Sequence, residues 1–399
     1  MRRVGGETLR LTVASYKRSR LRVHMGSPGQ QLLIASSMVN FTILAGGYNT
    51  FIATYLFNSA AGTLDVVSET PAGVNTSWMS PHPTNSSIFY AVNELEPMGA
   101  LQSYTTTPHG VISGPFDTVP SGGEDPAFTV PLSTGEVAIL NYNSGNGRIF
   151  PTDSTGLKFD NSSAPFITFT PPVNGVSHPH MAFEYQGEVF VPDLGGDKLW
   201  RLTPGKGGAG HWDITGDVPQ PLGSGPRHMR IFDNRIFVIH ELASTLTVQP
   251  IPANPNGTSN IIDSESILPS GLPTGAAMAA AEILIPEPTA KFPVPYVYVS
   301  NRNTGVQDPR GDAIAIFRHV NAGRPNEGLE LVTEVFTGLD QIRGMEIGLE
   351  SNGGDEFLIA SGVAGSAGTV VYRRTEGGAN LTEVARNLDI PTRTTFIWL

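Results

Sequence analysis

The chain has 399 residues, including 45 glycines and 32 prolines but no cysteine, and its formal net charge is −11. This composition excludes coiled coils, helical repeats, disulfide frameworks and Cys-ligated zinc, and the negative charge argues against general nucleic-acid binding. Hydrophobic residues make up 39% of the chain and charged residues only 15%. Many short strands joined by tight turns are the architecture that fits these numbers.

The N-terminal segment differs in charge from the rest of the chain. Residues 1–25 carry seven basic side chains and one acidic side chain. We expect residues 1–40 to form a poorly ordered basic extension, and a transit peptide, a tail and a misplaced start codon all stay open as its origin. We expect a cytoplasmic location, with secretion as the alternative, because six Asn-X-Ser/Thr sequons occur without a visible signal peptide.

A unit of four short strands recurs along the chain at an interval near 50 residues. The longest interval is explained by a proline-rich insertion at residues 286–295. Four strands in a repeat of this length are typical of a β-propeller blade. The first strands of six units begin at Ser77, Pro126, His178, Arg227, Met278 and Arg343.

The two ends of the chain supply a seventh unit. Three strands between residues 41 and 67 have the pattern of second, third and fourth strands, and no first strand precedes them. Residues 391–399 have the pattern of a first strand with nothing after it. We therefore predict one all-β domain over residues 41–399, a seven-bladed β-propeller in which the C-terminal strand closes blade 1.

Polar residues concentrate at equivalent positions of the predicted blades. In a propeller each first strand starts, and each second strand ends, at the same face. Because charged residues are scarce in this chain, this concentration predicts a polar funnel at one mouth of the central channel, suited to a small anionic or oxygen-rich ligand. The funnel residues are His178, His180, Arg227, His228 and Arg343 at first-strand starts, and Glu94, Asp193, Glu241, Asn301 and Arg302 at second-strand ends.

Several of these residues also have purely structural explanations. Arg227 can pair with Glu241, and one histidine of the His-Pro-His motif at residues 178–180 can be structural. Asp193 and Glu94 can act as turn formers. The His-Pro-His motif could also indicate a metal site, but no third ligand is identified for it. We therefore expect neither a metal nor a cofactor.

Five segments carry a resemblance to a known family. They are His178-Pro179-His180, Val191-Pro192-Asp193-Leu194-Gly195, Gly225-Pro226-Arg227-His228, Val238-Ile239-His240-Glu241-Leu242 and Tyr298-Val299-Ser300-Asn301-Arg302. In this order they resemble the seven-bladed lactonase family, which includes bacterial 6-phosphogluconolactonases and the fungal 3-carboxy-cis,cis-muconate cyclase. The chain departs from the family in its basic N terminus, in the long connection within the sixth blade, and at His240, where asparagine is usual.

The resemblance implies four catalytic positions, His178, Arg227, Glu241 and Arg302. A lactonase or a lactone-forming cyclase, acting on a small carboxylate or a sugar-acid lactone, is the implied activity. The arginines would bind the substrate anion and stabilise oxyanion charge, and His178 or Glu241 would transfer the proton. The substrate contacts would be completed by His180, Asp193, His228, Asn301, Arg343 and Glu94.

Two further functions stay open at this point. A cyclase or isomerase of fungal secondary metabolism would use the same pocket for a more apolar substrate, and Trp78, Phe128 and Met278 near first-strand starts would make the funnel apolar. A propeller that binds partners without catalysis is less consistent with the complete His, Arg, Glu and Arg set. We expect a small-molecule substrate and neither a nucleic-acid nor a membrane partner, whereas the sequence leaves the oligomeric state open.

Overall fold

The computed structural model describes residues 39–399 with the exception of Asn256. This part of the chain forms seven four-stranded antiparallel sheets, which are the blades of one ring. The predicted seven-bladed propeller is therefore confirmed. The predicted basic extension lies outside the described residues apart from its last two, and the first strand already includes Asn40.

The strands are numbered in chain order and each blade is given from the channel outwards. Blade 1 contains β28 (Thr395–Trp398), β1 (Asn40–Gly46), β2 (Phe51–Asn58) and β3 (Thr63–Pro71). Blades 2 and 3 contain β4 (Met79–Pro81), β5 (Ile88–Asn93), β6 (Ala100–Thr106) and β7 (Ile112–Pro120), then β8 (Pro126–Pro131), β9 (Glu136–Asn141), β10 (Asn146–Pro151) and β11 (Ile167–Thr168). Blades 4 and 5 contain β12 (Phe183–Tyr185), β13 (Glu188–Asp193), β14 (Lys198–Pro204) and β15 (Trp212–Pro219), then β16 (Pro226–Phe232), β17 (Arg235–His240), β18 (Thr245–Pro250) and β19 (Asp263–Ser266). Blades 6 and 7 contain β20 (Met278–Leu284), β21 (Val297–Asn303), β22 (Ala313–Val320) and β23 (Gly328–Phe336), then β24 (Asp340–Ile347), β25 (Phe357–Ala364), β26 (Thr369–Thr375) and β27 (Asn380–Asn387).

Three short 3-10 helices accompany these strands in blade 7. They span Glu350–Asn352, Gly354–Glu356 and Glu376–Gly378. Within the part of the chain that the structure describes, no helix has the length and hydrophobicity needed to cross a bilayer.

The hydrophobic core lies between adjacent blades. A second strand has neighbours on both edges and a blade against each face, so it is buried along its whole length, as in β5 and β9. Fourth strands lie at the rim, and most residues of β3 are exposed or half-buried. This difference explains why continuous apolar runs mark the second strands in the sequence.

The C-terminal strand closes the ring as predicted. β28 pairs antiparallel with β1, with Ile43 opposite Trp398 and Gly46 opposite Thr395. The Trp398 ring packs edge-to-face on Phe41 with 5.7 Å between ring centroids. Because β28 comes from the end of the chain and β1 from its beginning, blade 1 holds the two ends of the ring together.

The first strand of blade 4 is shorter than the sequence pattern predicts. Regular pairing begins at Phe183, and the expected start near His178 makes only an isolated bridge between Pro179 and Asp193. Across that bridge the His180 N–H donates to the Pro192 carbonyl and the Leu194 N–H donates to the His178 carbonyl, so Pro179 occupies a ladder position that needs no N–H. The proline-rich insertion in blade 6 does lie where it was predicted, between β20 and β21.

Candidate active site

A cavity of about 190 Å³ opens at the mouth where the first strands begin. It brings together six of the ten residues predicted for the funnel, which are Glu94, His180, Arg227, Glu241, Arg302 and Arg343. Tyr48, Ala127 and Tyr142 complete the lining. Three arginines against two glutamates give this small space a positive excess, which favours an anionic ligand.

β-Bulges place two of the arginines in the channel. Register shifts interrupt β16 between Pro226 and His228 and β24 between Ile342 and Gly344, so Arg227 and Arg343 occupy equivalent bulge positions. A bulge leaves one residue out of the ladder and redirects its side chain. Each guanidinium also donates to a backbone carbonyl of another blade, Arg227 to Ala281 in the next blade and Arg343 to Ser77 at the start of blade 2, beyond blade 1.

Glu241 joins two arginines. Its Oε2 lies 2.9 Å from Nε of Arg227 and 2.5 Å from Nη2 of Arg302. Burial, followed by repulsion from Arg302, lowers the pKa of Arg227 to about 10, and Glu241 opposes that shift. Arg227 therefore stays charged at neutral pH. The Nε–H groups of both arginines are buried and make no well-aligned hydrogen bond among the described residues.

Glu94 organises the opposite wall of the cavity. Its Oε2 lies 3.3 Å from Nη2 of Arg343, and its Oε1 accepts a 2.9 Å hydrogen bond from the Tyr48 hydroxyl. Ser77 donates a further hydrogen bond to the same carboxylate. The carboxylate therefore fixes both Arg343 and Tyr48 at the cavity rim.

His180 is the cavity end of a buried hydrogen-bonded chain. Its Nδ1 lies 3.1 Å from Nε2 of His228, and Nδ1 of His228 lies 2.9 Å from Oε1 of Glu282. Burial, followed by the charge of Arg227, lowers the pKa of both histidines well below the usual range. Both rings are therefore neutral at pH 7. His228, predicted as a substrate contact, lies beneath the cavity rather than on its wall.

His178 packs behind the cavity. Its ring stacks on Tyr142 with 4.3 Å between centroids, and Nδ1 lies 2.9 Å from the Tyr142 carbonyl oxygen. Tyr142 lines the cavity, whereas His178 does not. The catalytic role implied for His178 by the family resemblance stays a prediction.

Asp193 and Asn301, predicted as substrate contacts, are not among the residues that line this cavity. Asp193 accepts side-chain hydrogen bonds from Ser177 at 2.6 Å and Trp200 at 2.8 Å, and backbone N–H bonds from His178 and Gly196. A carboxylate with this many donors is occupied in holding its own turn. Asn301 is fully buried and donates to the Ile267 carbonyl at 2.6 Å.

The tyrosines of the lining escaped the sequence analysis. Tyr142 follows the end of β9 as Glu94 follows the end of β5 and Glu241 the end of β17, so strand register alone would have identified it. Tyr48 lies in the turn after β1. Glu282 could also have been identified from the sequence, because it is an isolated acidic residue in the apolar strand β20. None of the strand-end residues predicted from the sequence is aromatic.

The aromatic residues expected to make the funnel apolar lie elsewhere. Trp78 and Phe128 line a second cavity of about 330 Å³, together with Met181, Met345 and Phe396. In blade 3 it is Ala127, at the bulge of β8, that reaches the polar cavity. Trp78 and Phe128, which the alternative of a more apolar substrate would place in the funnel, therefore line this second cavity instead, and Met278 lines neither of the two cavities.

Comparison with known proteins agrees with this architecture. A search of solved structures finds a protein from Lactobacillus plantarum (TM-score 0.74, 19% identity, 90% of this chain and 100% of that chain). It also finds a candidate 6-phosphogluconolactonase from Bacteroides fragilis (0.74, 18%, 92% and 99%) and the periplasmic gluconolactonase PpgL from Pseudomonas aeruginosa (0.71, 17%, 90% and 99%). No match was found among curated protein sequences. The family model described as "Lactonase, 7-bladed beta-propeller" matches residues 42–398, and the chain therefore belongs to the seven-bladed β-propeller lactonase family.

Proposed function

We propose that this protein hydrolyses the lactone of a small sugar acid that carries a phosphate or carboxylate group. The observation that carries the proposal is the arginine-rich lining of a cavity of about 190 Å³ in a lactonase-family propeller. The volume suits a ligand of sugar size, and the positive excess suits its anionic group. A larger apolar substrate would leave these charges desolvated and unpaired, which is costly.

The arginines have two tasks in this reaction. Arg343, fixed by Glu94 and by the Ser77 carbonyl, is placed to hold the anionic substituent at the rim. Arg227 and Arg302, held together by Glu241, are placed to stabilise the oxyanion that forms when water attacks the lactone carbonyl. Their geometry exists before substrate arrives, so the reaction requires little reorganisation of the site.

Proton transfer then requires a group at the cavity wall. Glu241 contacts two guanidinium groups and is better placed to orient them than to exchange a proton. The His-Pro-His segment supplies the alternative, with His180 on the wall and His178 behind Tyr142. This placement favours His180 as the group that accepts a proton from the attacking water.

The proposal is tested with the purified full chain and three substrates, 6-phosphoglucono-δ-lactone, the uncharged glucono-δ-lactone and 3-carboxy-cis,cis-muconate. Proton release from the two lactones, or proton uptake during cyclisation of the muconate, is followed with a pH indicator. We expect the phosphorylated lactone to give the highest kcat/KM. Arg302→Met should lower that value by about 100-fold, as loss of an oxyanion donor does, whereas Arg318→Met, on an exposed arginine paired with Glu330, should change nothing.

Each other result has a defined meaning. Equal rates with charged and uncharged lactones, or full activity in Arg302→Met or Arg227→Ala, would contradict the anion clamp. Conversion of the muconate with both lactones inert would assign the protein to the cyclising direction. Binding of lactones without any turnover would favour a non-catalytic propeller.

A further inference from the structure

We propose that Glu282, His228 and His180 form a proton relay that makes Nε2 of His180 the general base of the cavity. The inference rests on the proposed lactone hydrolysis for its chemical purpose, but the relay itself is defined by hydrogen bonds that do not depend on any substrate. The two contacts, 3.1 Å between the histidines and 2.9 Å between His228 and Glu282, form one continuous path.

With Glu282 ionised, the hydrogen bonds fix the proton positions. Oε1 of Glu282 accepts from the backbone N–H of Ile283 at 2.9 Å and faces Nδ1 of His228. An ionised carboxylate only accepts, so His228 carries its proton on Nδ1 and accepts on Nε2. His180 must then donate through Nδ1–H. Its Nε2 keeps a lone pair, and this is the ring nitrogen left for the cavity that His180 lines.

Glu282 accepts fewer hydrogen bonds than a carboxylate with a purely structural role. Its Oε2 is buried and has no hydrogen-bond partner among the described residues. Asp193, at a similar depth, has both oxygens satisfied by four donors. A buried carboxylate with one unsatisfied oxygen is costly in its ionised form. Burial accordingly raises the pKa of Glu282, while Arg230 and Arg227 oppose that shift.

The charges around the path explain why a relay is useful. Four arginines act on these groups through their charges, namely Arg227, Arg230, Arg302 and Arg343. One further acid, Glu346, interacts electrostatically with Glu282. The arginines disfavour an imidazolium at His180 or His228, so a histidine base acting alone would be weak. Moving the incoming proton on to Glu282 avoids that positive charge.

The proposed step is balanced in atoms and charge. As water attacks the lactone carbonyl, Nε2 of His180 takes a proton from it. The Nδ1 proton of His180 passes to Nε2 of His228, and the Nδ1 proton of His228 passes to Oε1 of Glu282. Both histidines stay neutral and the carboxylate becomes a carboxylic acid. When the tetrahedral intermediate collapses, the same three protons move back and His180 protonates the leaving alkoxide.

A bulge puts the acid of the relay in place. β20 loses register between Ala280 and Ile283, so Ala281 and Glu282 leave the ladder together. In blades 5 and 7 the corresponding register shifts leave one residue each out of the ladder, Arg227 and Arg343. The additional residue in blade 6 is what carries a carboxylate to the His228 ring.

The test uses Glu282→Gln in the full-length protein. Gln retains an oxygen that accepts from His228 and Ile283, but it cannot take up a proton. We expect kcat on the phosphorylated lactone to fall at least 10-fold with KM within about 2-fold of wild type. The acid limb of the pH profile should move to lower pH, because the first proton then goes to a histidine of depressed pKa. Glu282→Asp should recover part of kcat.

Glu346→Gln is the matched control. Glu346 is also a channel acid that interacts electrostatically with Glu282, but within the described part of the chain its side chain accepts a hydrogen bond only from the backbone N–H of Ile347, so kcat should stay unchanged. An unaltered kcat and pH profile in Glu282→Gln would overturn the relay. Equal losses in Glu282→Gln and Glu346→Gln would overturn it as well, since they would indicate a general electrostatic effect.

A measurement without substrate separates the relay from the proposed function. Nitrogen-15 NMR of the histidine rings at pH 7 should show both His180 and His228 neutral with the proton on Nδ1, and Glu282→Gln should preserve these tautomers. A proton on Nε2 of His180 would refute the relay whatever the activity. If the wild-type protein hydrolyses none of the lactones, the proposed function fails, and the tautomers alone then decide whether the path exists.

Discussion

The two mouths of the channel are built from the same strands but have opposite chemistry. At one mouth, bulge residues and second-strand ends supply three arginines and two glutamates around about 190 Å³. At the other, residues further along the first strands surround about 330 Å³ with Trp78, Phe128, Met181 and Phe396 among the lining. The register of a few residues, rather than the choice of strand, therefore determines which mouth a side chain reaches.

Charge compensation also differs between the mouths. At the polar mouth each glutamate contacts an arginine directly, so the carboxylates orient donors for a ligand. The apolar mouth holds Glu184, Arg230 and Glu346, and among the residues that the structure describes no ion pair joins Arg230 to either acid. Burial, opposed by Arg230, raises the pKa of Glu346 to about 7. Only the polar mouth therefore presents a set of charges arranged to act together.

We expect the largest effect from deletion of residues 391–399, because this deletion should disrupt the polar and the apolar mouth together. The deleted segment lines only the apolar mouth, through Thr394, Thr395 and Phe396. Yet β28 also pairs with β1 and holds the ring closed. We expect both mouths to be lost together, with no cooperative thermal transition by circular dichroism.

Removal of Leu399 alone is the control for that deletion, because this residue follows β28 and adds one backbone hydrogen bond to Thr42. It should lower the melting temperature only slightly. A shortened chain lacking residues 391–399 that melts at the wild-type temperature would disprove closure by the C-terminal strand.

Phe396→Ala separates stability from activity. The Phe396 side chain is 4% exposed and packs in the core cluster that joins blades 1 and 7 while lining the apolar mouth. We expect its loss to cost about 3–5 kcal/mol in the free energy of unfolding, measured with urea. Lactone kcat/KM should stay within about 2-fold of wild type, because Phe396 does not line the polar cavity.

Arg302→Met should show the reverse pattern, with a large loss of kcat/KM and a smaller loss of stability. Its side chain is 16% exposed, so the methionine can remain partly in contact with water. If Phe396→Ala impaired catalysis as strongly as Arg302→Met, the two mouths would be coupled rather than independent.

The fold was predictable because each blade repeats its own pattern. Second strands are buried on both faces and therefore appear in the sequence as apolar runs. The three strands at the start of the predicted propeller lack a first strand, and the C-terminal strand lacks partners, so the two ends together complete one blade. Arg302, Glu241 and Glu94 were found for the same reason, since position along a strand determines the face. These predictions required only local information.

The remaining site residues depend on contacts that a sequence does not display. The four donors that occupy Asp193 come from three separate turns and strands, including Ser177 and Trp200. His180 lines the cavity whereas His178 stacks on Tyr142 behind it, a difference that the His178-Pro179-His180 motif does not itself display. The two-residue bulge that delivers Glu282 likewise follows from pairing with β21 and not from a sequence pattern.

The smallest effect concerns His240, which directly precedes Glu241 but faces the interior of blade 5 and not the cavity. Each ring nitrogen lies 2.9 Å from a hydroxyl, that of Ser224 or Thr247. Burial lowers the pKa of His240 to about 4, against about 6.5 in an unfolded chain. Because the unfolded state binds the proton first, this residue's contribution to stability is complete above pH 6.5 and is lost as pH falls toward 4.

His240→Asn tests this contribution. Asparagine can still bond to the hydroxyls of Ser224 and Thr247 but does not titrate. Between pH 7 and pH 5 the wild-type free energy of unfolding should therefore fall by about 2 kcal/mol more than that of the variant. His109→Asn, at an exposed position, is the control and should behave as wild type. Identical pH dependence of His240→Asn and wild type in urea titrations would show that His240 does not contribute to the acid sensitivity of the fold.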